Sequence, residues 1–246
     1  SLLAELERDE AASRLDHTEF AQPALFAIQV ALAALWKSFG VEPDGVVGHS
    51  VGEIAALHVA GVLDLEQAVR LVWWRAQAMQ QTPPGGAMAS LSTDVEAAGA
   101  LIAPYGPRLC IGAFNGPGTV VISGDAEALE KALAAAALLG VEHRRLPVNY
   151  AFHSAHVAQA ALALERQLGD FVAARPRIPV YSTVAGAIAA PSLAFDADYF
   201  RRNVADPVRF APAVAAMAAD GFEVFLEIGP HPVLAAAPDG REGGVA

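Results

Sequence analysis

One short segment of the sequence limits the fold more than any other. Residues 44–57 read DGVVGHSVGEIAAL, so an apolar strand-like run leads through Gly48-x-Ser50-x-Gly52 into an apolar helical pattern. A strand that turns directly into a helix exposes the side chain at the apex, and the flanking glycines relieve backbone crowding. We therefore expect an α/β fold in which Ser50 is a nucleophile and the Val51 N–H an oxyanion donor. The alternative is an ordinary turn in which Ser50 only caps the helix.

The outer parts of the chain alternate between predicted helices and strands. Pro23 is expected to begin a long apolar helix, and Asp64 is expected to cap an amphipathic one. Near the other end, FEVFLEIG at 222–229 is typical of an apolar strand. Strands that alternate with helices predict a parallel sheet covered on both faces. We expect an α/β-hydrolase-like large subdomain built from residues 1–86 and 149–246.

The middle of the chain has a different pattern. Between residues 87 and 148, a strand, a helix, two strands, a helix and a last strand follow one another. The two central strands join through Asn115-Gly116-Pro117-Gly118, which is a strong turn signal. The order βαββαβ is that of the ferredoxin-like motif. Residues 87–148 are therefore predicted to form a small subdomain inserted into the large one.

Composition argues against several classes of function. The net charge of −11 disfavours nucleic-acid binding, which usually needs a basic face. Cys110 is the single cysteine, so the chain forms no internal disulfide, which fits a reducing cytoplasm. The longest apolar stretch, at 23–36, is shorter than the roughly 20 residues that span a bilayer, so no membrane association is expected. No Cys/His cluster has zinc spacing and no glycine-rich phosphate loop occurs, so we expect no metal and no bound cofactor.

A serine nucleophile needs a base, and the sequence offers seven histidines. His49 adjoins Ser50, and neighbouring side chains on a sharp turn usually diverge. His58 lies inside the helix after the turn, where packing is its expected role. His153 follows the last predicted strand of the small subdomain, in a loop that returns to the main sheet, which is a natural place for a catalytic group. The residues alone favour His153 without excluding the others.

Seven motifs of this chain resemble, in their order, those of the acyltransferase domains of modular type I polyketide synthases. They are FAQPALFAIQVAL, GHSVGEIAA, PPGGAM, FNGPGTVVISG, NYAFHSAHV, RNVADPVRF and EIGPHPVL. Such domains are similar to the malonyl-CoA:acyl-carrier-protein transacylases of fatty acid synthesis. The resemblance covers the chain from about residue 20 to about residue 235.

The resemblance implies roles for individual residues. Ser50 is expected to carry the acyl group, and His153 to act as its general base, oriented by a backbone carbonyl rather than by an aspartate. Arg75 is expected to bind the free carboxylate of a malonyl-type substrate, since a guanidinium binds a carboxylate in bidentate fashion. Asn115 is expected to line the cleft. Without the resemblance, Arg75 would be interpreted as a charge on the helix surface and Asn115 as a turn residue.

The implied reaction has two halves and needs no metal and no bound cofactor. Ser50 takes the acyl group from an acyl-CoA, and the phosphopantetheine thiol of an acyl carrier protein then takes it from Ser50. The implied partners are malonyl-CoA or a substituted malonyl-CoA, the acyl carrier protein, and the neighbouring ketosynthase and linker domains of the same synthase.

The residues before the base indicate which acyl group is used. Malonyl-type domains commonly read His-Ala-Phe-His there and methylmalonyl-type domains Tyr-Ala-Ser-His, whereas this chain reads Tyr150-Ala151-Phe152-His153. Phe152 is expected to narrow the space for an α-methyl group, and Val51 and the PPGGAM segment also resemble malonyl-type domains. Only Tyr150 matches the methylmalonyl-type domains instead. We expect malonyl, with methylmalonyl or another substituted malonyl as the alternative, because one pocket methylene is worth only about 1–3 kcal/mol.

Two other classes of function stay open. A serine esterase or thioesterase shares the elbow, although Arg75 and the lack of a clear acidic triad partner argue against it. A docking or scaffolding domain would not need Ser50 and His153. The family's Gly-Gln-Gly-x-Gln loop, whose glutamine supplies a second oxyanion N–H, does not occur in residues 1–246. We expect this loop to precede Ser1 in the intact protein, which the intact mass would test.

Overall fold

The computed structural model describes residues 2–234, which form a mixed α/β fold. The α-helices are α1 (Leu2–Leu6), α2 (Thr18–Ser38), α3 (Gly52–Val59), α4 (Leu65–Gln80), α5 (Val95–Ile102), α6 (Ala126–Leu138), α7 (Ala158–Leu168), α8 (Ala197–Ala205) and α9 (Phe210–Ala219). The strands are β1 (Val46–Val47), β2 (Gly86–Leu91), β3 (Leu109–Gly116), β4 (Thr119–Asp125), β5 (His143–Arg145), β6 (Val180–Ser182) and β7 (Ala187–Ile188). The end of the predicted 149–246 segment lies outside the described residues.

The helix that follows the elbow helix starts where its sequence predicts. The Asp64 carboxylate accepts a hydrogen bond from the Gln67 N–H at 2.7 Å, and the Gln67 side chain accepts one from the Asp64 N–H at 3.0 Å. This reciprocal pair is a capping box, which satisfies two backbone donors at the start of α4. The predicted cap at Asp64 is confirmed, and it fixes the start of the helix that carries Arg75.

Helix α2 begins at Thr18 rather than at Pro23, so the prediction that Pro23 begins the helix is wrong. Pro23 lies inside the helix, where it removes one backbone donor. One contact within the helix and one tertiary contact stabilise the additional turn. The Gln22 amide is buried and donates to Thr18 Oγ1 at 2.6 Å, and it lies 3.3 Å from Met79 Sδ on α4. The extension places Gln22 beside the helix that carries Arg75.

The additional turn also gives α2 a length of 21 residues, and by length and composition alone a helix of this kind could span a membrane. The apolar stretch at 23–36 is shorter than such a span, and α2 reaches this length only because it extends beyond both ends of that stretch. In the fold, α2 packs against α3 and α4. Ala24 and Phe26 are buried, and Phe26 belongs to the core cluster shared with those helices. The N-terminal half of α2 therefore packs into the core, whereas Leu35 and Trp36 near its other end are exposed.

Strands β1, β6 and β7 form one sheet in that order. β1 pairs with β6 in parallel, and β7 pairs with β6 antiparallel, so this sheet of the described residues is mixed, whereas a parallel sheet was predicted. Residues 222–229, predicted as a strand, pair with no strand of the described chain. A strand persists only where a neighbouring strand takes up its ladder hydrogen bonds, and the nearby β1 is two residues long. Phe222 instead packs its ring edge-on against Tyr181, with 5.7 Å between ring centroids.

Strands β2 to β5 form the second sheet, in the order β3-β4-β2-β5 with antiparallel neighbours. Ala87, Ala89 and Leu91 alternate along β2 onto one face, where they pack with α5 and α6. Met88 points to the other face and packs with Val208, which follows α8. The second sheet therefore contacts the segment between α8 and α9.

Candidate active site

The backbone at Ser50 has the conformation of a strand–helix elbow. Ser50 adopts a positive φ of 55°, in the left-handed region that side chains other than glycine rarely occupy. Gly48 allows the turn to close, because a Cβ there would lie 2.3 Å from the Glu53 Cα and 2.4 Å from the Glu53 nitrogen. Any other residue at Gly48 would collide with the first turn of α3. The two glycines of the motif thus have different neighbours, since a Cβ on Gly52 would face the Gln29 amide at 3.3 Å.

Ser50 and His153 are 103 residues apart in the sequence and in direct contact in the structure. His153 Nε2 lies 2.8 Å from Ser50 Oγ, and His153 Nδ1 lies 2.9 Å from the Asp206 carbonyl oxygen. Because a carbonyl oxygen only accepts, Nδ1 carries the hydrogen, and Nε2 is left to accept the proton of the serine hydroxyl. The orienting group is a backbone carbonyl, in agreement with the expectation from the family resemblance.

Asp206 is held in place through the second sheet. Val208, two residues later, donates its N–H to the Gly112 carbonyl at 2.9 Å and accepts a hydrogen bond from the Phe114 N–H at 2.8 Å. These bonds attach the segment after α8 alongside β3 as a short parallel bridge. The carbonyl that orients His153 is therefore fixed by a strand of the other sheet.

His153 is buried, and its charge state follows from its surroundings. Burial lowers the pKa of His153 to about 3, with the positive charge of Arg75 and the nearby His49 acting in the same direction. The Asp206 carbonyl opposes the shift. A group with this pKa is neutral at pH 7, and a neutral imidazole with a free Nε2 is the form that accepts a proton.

Arg75 is buried, with 2% of its surface exposed, so its interpretation as a helix-surface charge is wrong. Its Nη2 donates to Ser50 Oγ at 3.1 Å, its Nε donates to Asn203 Oδ1 at 3.2 Å, and its Nη1 donates to Gln22 Oε1. Burial lowers the pKa of Arg75 to about 10, and the negative charge of Glu53 opposes this shift. Arg75 therefore remains a cation at neutral pH and directly contacts the candidate nucleophile.

Some N–H groups of the Arg75 guanidinium form no hydrogen bond within residues 2–234. A guanidinium has five N–H groups. Its contacts with Ser50, Asn203 and Gln22 occupy three of them. The remaining pair matches the two oxygen atoms of a carboxylate, which arginine binds in bidentate fashion. Two N–H groups of this buried cation therefore have no hydrogen-bond partner among residues 2–234.

Asn115 lies against the residue that precedes the serine. His49 Nε2 is 2.9 Å from Asn115 Oδ1, and the His49 ring packs 5.6 Å from the ring of Phe210. Burial lowers the pKa of His49. His58 bonds to the Leu63 carbonyl instead, at 3.0 Å. Both histidines are engaged away from the Ser50 hydroxyl.

Tyr150 and Phe152 form a stacked pair. Their ring planes are 11° apart and their centroids 5.2 Å apart. The Tyr150 hydroxyl donates to Gln80 Oε1 on α4 at 3.0 Å, and the Phe152 carbonyl accepts from Ser123 Oγ on β4 at 2.6 Å. The loop that carries His153 is therefore attached to α4 on one side and to the second sheet on the other.

Several residues of this site were missed by sequence reasoning. Gln22, Glu53 and Asn203 are buried polar side chains that bond to one another or to Arg75. Each lies in a motif quoted above, and Gln22 and Glu53 are also polar residues within apolar stretches, which is the signal that would have found them. Within residues 2–234, no group of three or more His, Cys, Asp and Glu side chains is placed to hold a metal ion. A nucleophile, a neutral base and a buried cation are together suited to covalent acyl transfer.

Comparison with known proteins places the chain in a family. A family model described as the acyl transferase domain matches residues 2–240. The polyketide synthase GfsB of Streptomyces halstedii is 46% identical over 222 residues, which are 90% of this chain and 4% of that protein. The erythronolide synthase EryA3 of Saccharopolyspora erythraea is 44% identical over 232 residues, 94% of this chain and 7% of that protein. The chain thus spans a small part of the length of these relatives.

Comparison with solved structures supports the same family assignment. The acyltransferase domain from module 8 of the salinomycin polyketide synthase superposes with a TM-score of 0.91 at 36% identity, over 96% of this chain and 56% of that chain. The malonyl CoA-acyl carrier protein transacylase of Clostridium perfringens gives a TM-score of 0.85 at 29% identity, over 96% of this chain and 78% of that chain. The chain therefore belongs to the acyl transferase domain family, and its relatives include polyketide synthases, their acyltransferase domains and a malonyl CoA-acyl carrier protein transacylase.

Proposed function

We propose that this domain moves an extender unit, most simply malonyl, from CoA through an acyl-Ser50 intermediate to the phosphopantetheine thiol of an acyl carrier protein in polyketide biosynthesis. One observation carries the proposal: the Ser50 hydroxyl lies within hydrogen-bond distance of both a base, His153 at 2.8 Å, and a buried cation, Arg75 at 3.1 Å. A base activates the serine, and a cation selects acyl groups that carry a carboxylate.

The first half of the reaction loads the serine. His153 Nε2 takes the proton of the Ser50 hydroxyl while Oγ attacks the thioester carbonyl carbon. The tetrahedral intermediate collapses, the carbon–sulfur bond breaks, and CoA leaves as a thiol with the proton returned by His153. The Val51 N–H, at the start of α3, is the oxyanion donor in this proposal.

The second half unloads the serine. The thiol of the carrier protein's phosphopantetheine attacks the acyl-serine ester, and His153 accepts the thiol proton. The ester C–O bond then breaks, and His153 returns that proton to Ser50 Oγ. The overall exchange replaces one thioester with another, so the reaction needs no metal, oxidant or bound cofactor.

Arg75 distinguishes this proposal from a serine esterase or thioesterase. An enzyme for neutral esters gains nothing from an arginine buried beside its nucleophile, and the burial of a charge is costly unless the charge is used or paired. With two N–H groups in reserve, the guanidinium suits the free carboxylate of a dicarboxylic acyl group. Asn115 lines the same cleft in this proposal, held by His49.

Malonyl is favoured over methylmalonyl by the loop before the base. Phe152 narrows the space for an α-methyl group in this proposal, and Val51 adds a second malonyl-type feature. Tyr150, which matched methylmalonyl-type domains in sequence, stacks on Phe152 and is attached to Gln80, so it supports the phenylalanine ring. A methylmalonyl or other substituted extender remains the alternative, since a pocket methylene changes the free energy by only about 1–3 kcal/mol.

The division into subdomains is part of the same proposal. A ferredoxin-like small subdomain at 87–148 is inserted into an α/β-hydrolase-like large one at 1–86 and 149–246. Two separate buried clusters support it, one around α3, α4, α7 and α8 and one beneath β2, β3 and β4. In the intact synthase, the domain meets a carrier protein and the adjoining ketosynthase and linker domains in the cytoplasm.

A competition experiment tests the proposed reaction and its preferred substrate. The protein is incubated with equimolar malonyl-CoA and methylmalonyl-CoA, and the intact mass reports which group it carries. We expect a malonyl adduct on Ser50 that transfers to an added carrier protein, and no adduct on Ser50→Ala. Labelling chiefly by methylmalonyl would overturn the malonyl assignment, and an adduct that persists in Ser50→Ala would overturn the assignment of the nucleophile.

The low pKa of His153 predicts an unusual pH profile. Because the pKa is lowered to about 3, the base form persists as the pH falls, and it is lost only as the pH passes that value. The kcat/KM for malonyl loading reports the free enzyme. We expect it to stay level between pH 8 and about pH 5.5, where a histidine with an ordinary pKa near 6.5 would have lost about tenfold. Activity recovered on return to neutral pH controls for acid unfolding, and a reversible fall centred near pH 6.5 would contradict the expectation.

A further inference from the structure

Asn203 contacts three parts of the candidate active site at once. It lies in α8, and it is 4% exposed. Its amide nitrogen donates to the Ser50 carbonyl oxygen at 3.2 Å and to Glu53 Oε2 at 2.9 Å. Its amide oxygen accepts from Arg75 Nε at 3.2 Å. A single side chain therefore joins the backbone of the nucleophile, a buried acid and the buried cation.

Glu53 sets the direction in which the Asn203 amide points. Glu53 is 1% exposed, and its carboxylate accepts hydrogen bonds from the Thr183 N–H at 3.1 Å, the Tyr199 hydroxyl at 2.5 Å and Asn203. Burial raises the pKa of Glu53, and these donors oppose the rise. The Ser50 carbonyl only accepts and Arg75 Nε only donates, so the NH₂ end of the amide faces Ser50 and Glu53 and its oxygen faces Arg75.

The orientation of Asn203 decides how the guanidinium of Arg75 lies. Asn203 accepts from Nε and Gln22 accepts from Nη1, so acceptors on two different helices hold two of the three nitrogen atoms. Two such contacts fix the plane of a rigid guanidinium. The same amide donates to the Ser50 carbonyl, at the residue whose φ is 55°. Asn203 therefore holds both the Arg75 cation and the backbone of Ser50.

We propose that Asn203 is a positioning residue, which holds the Arg75 guanidinium and the Ser50 backbone in one frame so that an acyl carboxylate is bound within reach of the serine. The inference rests on the proposed role of Arg75 as the carboxylate anchor. Asn203 acts through Arg75, so its loss affects acyl groups with a carboxylate more than those without one. Glu53 contributes by fixing the orientation of the Asn203 amide.

The test compares two acyl groups in the same protein. For the wild type, Asn203→Ala and Glu53→Gln, the kcat/KM for loading of Ser50 is measured with malonyl-CoA and with acetyl-CoA. The ratio of the two cancels the fraction of folded protein. We expect Asn203→Ala to lower the ratio by about tenfold or more, chiefly through a higher KM for malonyl-CoA, because a hydrogen bond to a charged group is lost. Glu53→Gln is expected to lower the ratio in the same direction and to a smaller extent.

Arg201→Ala is the matched control, since Arg201 lies on the same helix and forms an ion pair with Asp198. Its ratio should equal that of the wild type. An unchanged ratio in both Asn203→Ala and Glu53→Gln, with total loading reduced, would show that Asn203 only supports the fold and would overturn the proposal. If Asn203→Ala does not fold, the Glu53→Gln ratio decides. A wild type that loads neither group on Ser50 would instead refute the proposed function itself.

Discussion

Replacing His153 with alanine is expected to lower the rate at which malonyl-CoA acylates Ser50 by roughly 10⁴- to 10⁶-fold, the range seen when the base of a serine nucleophile is removed. His153 Nε2 lies 2.8 Å from Ser50 Oγ, and the other histidines near the turn bond elsewhere. In the described part of the chain, no second imidazole is in hydrogen-bond contact with the serine hydroxyl to replace it. Quenched-flow mass spectrometry of the acyl-enzyme measures the loss.

His143→Ala is the matched control for this variant. His143 is exposed on β5 and bonds only locally, to the Val141 carbonyl at 3.0 Å, so its removal should leave loading unchanged. Thermal unfolding of both variants separates a catalytic loss from a folding loss. A His153→Ala protein that is folded and loads malonyl within tenfold of the wild type would refute the role of His153 as the base.

Replacing Arg75 with alanine is expected to lower kcat/KM for malonyl-CoA by about 10²- to 10³-fold, the range for loss of one partner of a buried charge pair. The carboxylate of the acyl group would lose its cation in a buried site. Acetyl loading should fall far less, because an acetyl group has no carboxylate to bind. The preference for malonyl over acetyl should therefore collapse, which parallel assays with the two CoA thioesters measure.

Two further variants separate the loss of the charge at Arg75 from the loss of its planar shape and from general effects on the helix. Arg70 lies on the same helix, is exposed and pairs with Glu66. The Arg70→Ala variant therefore controls for general effects of a substitution in α4. Arg75→Lys keeps the charge but has no planar fork, so it should give a loss between those of the wild type and alanine. An equal fall of malonyl and acetyl loading in Arg75→Ala would show that Arg75 serves only the structure.

Local patterns predicted the local structure well. The apolar run before Ser50 and the glycines at 48 and 52 predicted the elbow, because the collision that Gly48 avoids is with the next turn of the same segment. Asp64 predicted the start of α4 for the same reason, since its hydrogen-bond partner is three residues away. Signals of this kind depend on few neighbours, and those neighbours are adjacent in the sequence.

The predictions that were wrong depended on distant partners. Pro23 was expected to begin α2, but α2 has an additional turn before it, in which Gln22 contacts Met79, 57 residues away. Residues 222–229 have the composition of a strand and pair with none in the described chain. The residues of a segment can favour a strand, but the strand forms only where contacts with other parts of the fold allow it.

Sequence patterns were enough to predict the elbow, the order of most helices and strands and, through the motifs, the family in which Ser50, His153 and Arg75 have roles. Three features became visible only in the folded chain: the burial of Arg75, the Asp206 carbonyl that sets the tautomer of His153, and the bonds of Asn203 to Arg75 and to the Ser50 backbone. The physical reason is separation along the chain. Arg75 and Asn203 are 128 residues apart, and their hydrogen bond exists only after the core cluster around α3, α4, α7 and α8 has packed. The charge state of a buried group follows from that packing, so no local pattern contains it.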